Sequence, residues 1–116
     1  VFTGYVSDEQ LVALYRQAAL FAYPSFFEGF GIPPLEAMAC GCATLVSKTT
    51  SLPEVCGEAS EYVDPYDVAS IRRGLERVLG EESLRQALIA RGYQRVTHFD
   101  QQKAARQMAD LIRQLT

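Results

Sequence analysis

Short apolar runs alternate with amphipathic stretches along this chain, and the two kinds of segment follow different periods. Residues 1–5 are rich in β-formers and predict a strand ending at Tyr5 or Val6. In "SDEQLVALYRQAA", Ser7 and Gln10 have the three-residue spacing of a capping box, and Leu11, Leu14, Tyr15 and Ala18 mark one helical face. "LFAYP" (20–24) is a continuous apolar run stopped by proline, as expected of a strand buried on both faces of a parallel sheet. A short helix is predicted over about 33–40, with proline in its first turn and Gly41 just past its end. "ATLVS" (43–47) reads as a second buried strand, "SLPEV" as one helical turn capped by Glu54, and "EYV" (61–63) as a last short strand. Helical faces follow at Val68, Ile71, Leu75 and Val78, with Asp67 as cap and Gly80 as stop, and at Leu84, Leu88 and Ile89. A third face is marked by Met108, Leu111, Ile112 and Leu115, with Asp100 as its cap.

Strands alternating with helices imply right-handed crossovers and a parallel sheet. The predicted fold class is therefore α/β, a partial Rossmann-like open parallel sheet of three or four strands with flanking helices. Its first strand is an exposed edge unless something covers it, so further strands are expected before Val1, and the missing initial methionine fits a processed or truncated piece. Uncovered apolar surface and a free strand edge predict that such a piece dimerises.

Composition narrows the function classes. With 116 residues, 48% of them hydrophobic, residues 1–116 suit a single domain with its own core. A net charge of −3 and an isoelectric point near 5.1 give no basic face for nucleic acid. No apolar run approaches the roughly 20 residues of a membrane span, and no signal-peptide pattern opens the chain. The three cysteines, Cys40, Cys42 and Cys56, are odd in number, and C-G-C is too short for the usual zinc spacing, so no metal site is expected. They read as small buried thiols in a reducing cytoplasm.

The stretch "EGFGIPPLE" carries the candidate chemistry. It leaves a buried strand and enters a helix, which puts it at the carboxyl end of the sheet, where open parallel sheets bind ligands. The loops starting at Val6 and Ser47 lie at the same end. Gly29 and Gly31 permit positive φ and a close backbone approach, and amides before a helix N-terminus suit a phosphate. Glu36 is expected in the first helical turn, ionised, and able to accept from two adjacent hydroxyls. Amides on a diphosphate with one carboxylate at each end would suit a nucleotide sugar. Glu28 and Glu36 read equally as ordinary surface acids, and the glycines as turn formers. Tyr23 reads as core, while Phe26 and Phe27 are expected to be partly exposed. His98 reads as a surface or capping residue, Lys48 as a solvated lysine, and Arg72, Arg73, Arg77, Arg85, Arg91 and Arg95 as solvated helix faces.

"EGFGIPPLEAMACG" resembles the E-x7-E motif of the retaining glycosyltransferases of family 4, which have the GT-B fold of two Rossmann-like domains. The likeness extends to "GYVSDEQLVALYRQAALFAYPS" before the motif and "SLPEVCGEASEYVDPYD" after it, and so covers nearly the whole chain. It implies that Glu28 contacts hydroxyls of the transferred sugar and is the catalytic residue. It implies that the backbone of Gly29, Phe30 and Gly31 meets sugar and diphosphate, and that Glu36 binds the ribose hydroxyls with Leu35 beside the nucleoside. The turn at Val6 and Ser7 would lie against the base. No metal and no cofactor is implied; the donor is a nucleotide-diphosphate sugar, and the departing diphosphate helps to deprotonate the acceptor.

The resemblance also implies parts that this chain lacks. The family's arginine and lysine for the diphosphate would precede Val1, as would an N-terminal acceptor domain. The family often has proline where Ala43 stands and glycines near Thr50 and Ser51. On this reading the chain is the C-terminal part of a donor-binding domain, inactive alone, from a cytoplasmic protein that associates peripherally with membrane at full length. The alternative is a free-standing, non-catalytic nucleotide-binding or self-association module. A dinucleotide binder is disfavoured, since no G-x-G-x-x-G follows the first strand.

Overall fold

The structure, a computed structural model, describes residues 1–99 and 108–114. Its centre is β2 (Thr44–Ser47), all four residues of which are buried. Strand β1 (Phe21–Tyr23) pairs with β2 in parallel, Phe21 opposite Thr44, and β3 (Glu61–Val63) pairs on the other side, Leu45 opposite Glu61. The order β1-β2-β3 explains why only the middle strand is buried throughout. Its two polar members are satisfied internally: Thr44 shares a hydrogen bond with Ser60, and Ser47 Oγ donates to the Ser25 carbonyl at 2.5 Å. Left unpaired, each would cost about 1–3 kcal/mol.

Two strand expectations are corrected. β1 is not buried on both faces: Ala22 is exposed, because the strand is an edge with its second side unpaired among the described residues. Residues 1–5 form no strand, and Val1, Phe2 and Tyr5 are exposed. β-propensity needs a ladder partner to take effect, and this segment pairs with no described strand.

Helix α1 (Asp8–Gln17) opens with the expected box: Gln10 N–H donates to Ser7 Oγ, and the Gln10 side chain accepts from the Ser7 N–H. Only Tyr15 is buried on it; Leu14 and Ala18 are exposed, because α1 meets the body of the protein along a narrow line against α2. α2 (Ile32–Ala39) ends at Cys40, with Gly41 at φ 76° just beyond. α3 (Leu52–Cys56) runs into a 3-10 turn (Gly57–Ala59). α4 (Val68–Gly80) is capped by Asp67, whose carboxylate accepts from Ala69 N–H at 3.0 Å, and α5 (Glu82–Val96) follows directly.

Small residues let these helices come close. A Cβ at Gly74 of α4 would stand 2.6 Å from Val63 and 2.9 Å from Leu45, so the helix backbone rests on β2 and β3. Gly92 of α5 faces Met38 of α2 at 3.1 Å in the same sense. The core lies around Met38, Val46, Leu52, Val55 and Cys56, with flanking groups at Tyr15, Ala37 and Cys42 and at Ala43, Val78 and Leu88. Cys42 and Cys56 are the buried free thiols expected, pushed up from the ordinary thiol range by burial.

Arg95 departs from the solvated faces read for the arginines. Its Nε donates to the Val55 carbonyl at 2.8 Å and its Nη2 to the Glu54 carbonyl at 2.5 Å, with the guanidinium over Phe99. The end of α5 thus closes the free carbonyl end of α3. Arg77 likewise reaches Glu61 of β3 at 3.2 Å, whereas Arg72 makes a solvated pair with Glu76. His98 is exposed. Residues 108–114 are helical, yet Met108, Leu111 and Ile112 are exposed, since helical period identifies a face and not its partner. Asp100 and Leu115 lie outside the described residues. Among those described, no helix is long and apolar enough to cross a membrane.

Candidate functional site

The loop between β1 and α2 leaves the carboxyl end of the sheet, and three hydroxyls from the next crossover hold its backbone. Ser47, the last residue of β2, bonds the Ser25 carbonyl, and Ser51, just before α3, donates to the Glu28 carbonyl at 2.8 Å. Thr50 Oγ1 accepts from Glu28 N–H at a long 3.4 Å. Thr50 itself stands at φ 59°, left-handed backbone that a β-branched residue rarely adopts. Next to it, Thr49 Oγ1 is buried without a hydrogen-bond partner.

The Glu28 side chain is also held. Tyr23 Oη donates to Glu28 Oε1 at 2.5 Å, and the Ser25 hydroxyl lies 2.9 Å from the same oxygen. The hydrogen bond to this carboxylate, then burial, pushes the Tyr23 hydroxyl up to about 12, so it stays a donor through neutral pH. Glu28 is half-buried, with its second oxygen clear of both contacts.

The glycines divide the work between them. Gly31 has φ 96° and is buried, and a Cβ there would stand 2.9 Å from Leu52 Cδ2. Gly29 does not take a positive φ, contrary to expectation; a Cβ there would meet nothing within 4 Å, which leaves open space beside its backbone. Phe30 is half-exposed and meets Phe99 edge-on. Phe26 and Phe27 are exposed, Phe26 stacking on Tyr66.

The helix start differs from expectation in two ways. With Gly31 as N-cap, Glu36 is the fifth residue of α2 and outside its first turn. Pro33 and Pro34 also remove two N–H groups from that turn. Anion donors at this end are therefore the loop amides and Ile32, not a full helix terminus.

Glu36 is exposed, and Tyr15 Oη lies 3.4 Å from its Oε2. Burial, then the Glu36 charge, pushes the Tyr15 hydroxyl up to about 12. Both side chains border a groove of about 340 Å³ between α1 and α2, lined also by Leu11, Val12, Cys40 and Asp8. Leu35 is half-buried and packs into the main core. Ser7 is committed to capping α1, and Val6 borders a separate groove with Gln10 and Leu14, so the structure does not bring these two into the groove that Glu36 borders.

Sequence reasoning missed Tyr23, Ser25 and Tyr15 as partners of the two glutamates. The usable signal for Glu28 was a hydroxyl side chain on the last strand residue or just beyond it, within five positions of the acid.

Residues 1–95 match the model of the family described as "Glycosyl transferases group 1". Over 90 residues the chain is 51% identical to the serotype-specific mannosyltransferase WbdA of Escherichia coli, covering 78% of this chain and 11% of that protein. Over 98 residues it is 47% identical to the O-antigen chain mannosyltransferase B of Escherichia coli, covering 84% of this chain and 26% of that one. The chain therefore spans between about a tenth and about a quarter of these relatives. The sucrose-phosphate synthase of Thermosynechococcus elongatus superposes with a TM-score of 0.90 at 31% identity, over 99% of this chain and 30% of that one. The C-terminal domain of a glycosyl transferase group 1 family protein (LpcC) from Francisella tularensis gives 0.71 at 31% identity, over 84% of this chain and 52% of that one. The α/β fold with a partial Rossmann-like parallel sheet, as in GT-B glycosyltransferases, is the one observed. A family match over residues 1–95, carried on this shared fold, makes the chain a member of the glycosyl transferases group 1.

Proposed function

We propose that the chain is the C-terminal nucleotide-sugar-binding part of a retaining glycosyltransferase. The whole protein would transfer a hexose from a nucleotide-diphosphate sugar to an acceptor in glycan, polysaccharide or glycolipid synthesis. The observation that carries this reading is the Glu28 carboxylate, oriented by Tyr23 and Ser25 beside open space at Gly29. An acid held with one oxygen free suits a sugar hydroxyl, which can donate to it. The two relatives described above are named mannosyltransferases, which favours mannose as the hexose.

In this reading Glu28 takes the transferred sugar, the amides of Gly29, Phe30 and Gly31 take the diphosphate, and Glu36 takes the ribose diol. Leu35 backs the nucleoside side from the core, while Val6 and Ser7, outside the groove that Glu36 borders, are left without a part in it. The reaction needs no metal here: the protein stabilises the leaving diphosphate electrostatically, and basic residues outside this chain supply most of that charge. An N-terminal domain binds the acceptor, so these 116 residues alone do not catalyse transfer. The free thiols fit a cytoplasmic protein.

Calorimetric titration with UDP, GDP, ADP and their hexose conjugates tests the reading. Binding of one nucleotide that Glu36→Ala abolishes is the expected result; binding unchanged by both Glu36→Ala and Glu28→Ala would overturn it. A second reading, a self-associating module, draws on the open edge of β1 among the described residues. A monomer in sedimentation at high concentration would remove it.

A further inference from the structure

The two motif glutamates have each a tyrosine beside them, and the two tyrosines belong to one row of rings. Tyr23 Oη donates to Glu28 Oε1 at 2.5 Å, and Tyr15 Oη lies 3.4 Å from Glu36 Oε2. Phe21 stands between them. Its ring meets Tyr15 edge-on at 5.2 Å and 83°, and stacks on Tyr23 at 5.7 Å and 19°. Phe21 and Tyr23 are two residues apart on β1 and so share one face of the strand, while Tyr15 comes from α1. Both ends of the row are packed: Tyr15 is buried with Ala37 and Cys42, and Tyr23 lies against the cluster of Met38 and Val46.

We propose that the row Tyr15–Phe21–Tyr23 is a positioning device that sets where the two carboxylates stand relative to one another, Tyr23 orienting Glu28 and Tyr15 orienting Glu36. The inference rests on the reading of those carboxylates as sugar and ribose ligands. An unrestrained glutamate side chain samples many rotamers, and its ligand must then select one. An aromatic side chain has few rotamers and is stiff once stacked, so a phenol at its tip is a fixed donor. Both hydroxyls stay protonated through neutral pH, which keeps each able to donate to an ionised acid. The two ends are unequal. The Tyr23 contact is short and seconded by Ser25, whereas the Tyr15 contact is at the limit of a hydrogen bond. Tyr23 therefore governs the reacting end and Tyr15 trims the nucleoside end.

The test uses the protein that carries this chain, at full length, with Tyr23→Phe, Tyr15→Phe and Glu28→Gln. Each tyrosine variant keeps its ring and the stack and loses only the hydroxyl. Release of nucleoside diphosphate is followed from a panel of UDP-, GDP- and ADP-hexoses. Tyr23→Phe is expected to lower kcat by roughly 10- to 100-fold with donor KM within about threefold, since a misaimed acid hurts the transition state more than binding. Tyr15→Phe is expected to raise donor KM by roughly 3- to 10-fold with kcat nearly unchanged. Tyr23→Phe added to Glu28→Gln should cost little more, because the tyrosine acts through that acid. Equal small losses in both tyrosine variants, matched by equal drops in unfolding temperature, would overturn the inference and leave a packing role. Turnover lost in Glu28→Gln but kept in Tyr23→Phe would overturn it while sparing the donor-site reading. Full turnover in Glu28→Gln, or no release from any donor by the unmodified protein, would overturn both.

Discussion

Ser51 donates its hydroxyl to the backbone carbonyl of Glu28 at 2.8 Å, and through that bond the start of α3 grips the loop that carries the candidate site. The bond is partly buried, so Ser51→Ala leaves an acceptor unpaired. The expected cost is about 1 kcal/mol of stability, near the mean for such a bond. Urea unfolding measures it. Donor affinity should fall as well; an unchanged midpoint together with unchanged affinity would mean the bond does not hold the loop.

Thr50 stands at φ 59°, where a β-branched side chain is strained by about 1–3 kcal/mol. Glycine takes that backbone freely but adds unfolded-state entropy, at roughly 0.4–1 kcal/mol. Relief of the strain outweighs that entropy, and the hydrogen bond given up, at 3.4 Å, is weak. Thr50→Gly should therefore raise the unfolding midpoint, by about 1 kcal/mol in free energy. A drop of that size would show that the Thr50 side chain matters more than its backbone.

Gly74 and Gly80 lie in the same helix and should respond oppositely to alanine. At Gly74 the new methyl would stand 2.6 Å from Val63 and 2.9 Å from Leu45, so the helix must lift off the sheet, at about 1–3 kcal/mol. At Gly80 nothing lies within 4 Å, and alanine should be neutral or stabilise by about 0.4–1 kcal/mol. Paired denaturation curves decide it: equal effects at the two sites would contradict the packing of α4 on β2 and β3.

Tyr15 and Tyr23 hold their protons to about 12, above the ordinary tyrosine value of 10.0. The folded state therefore keeps two protons that the unfolded chain releases first. Their stabilisation is complete below pH 10 and declines as pH rises from there through about 12. Chemical unfolding across that window should show stability falling with pH, and less steeply in Tyr23→Phe. An identical slope in the variant would deny Tyr23 its share.

Much of this fold could be read from residue types. The capping box at Ser7 and Gln10, the Asp67 cap, Gly41 after α2 and the apolar run of β2 all express local rules, and each is present. The errors share one cause. Residues 1–5 have strand-forming side chains but no described partner, "LFAYP" is apolar yet lies at an edge, and Leu14 has helical period but faces solvent. Propensity and period describe what a segment can do, while burial depends on which neighbour arrives. Arg95 shows the converse: it reads as one more solvated arginine, and only the approach of α5 to α3 makes it a cap.

The candidate site divides in the same way. That two glutamates flank a Gly- and Pro-rich turn between a strand and a helix was legible in the residues alone, because backbone limits at Gly31, Pro33 and Pro34 are local. So was the likeness to a glycosyltransferase family. The folded arrangement was needed to learn that Tyr23 and Ser25 hold Glu28, that Tyr15 stands beside Glu36, and that Ser51 and Ser47 fasten the loop. The Tyr15–Glu36, Ser51–Glu28 and Ser47–Ser25 contacts join residues more than twenty positions apart, and sequence separation says nothing of distance once a crossover has brought two strands together.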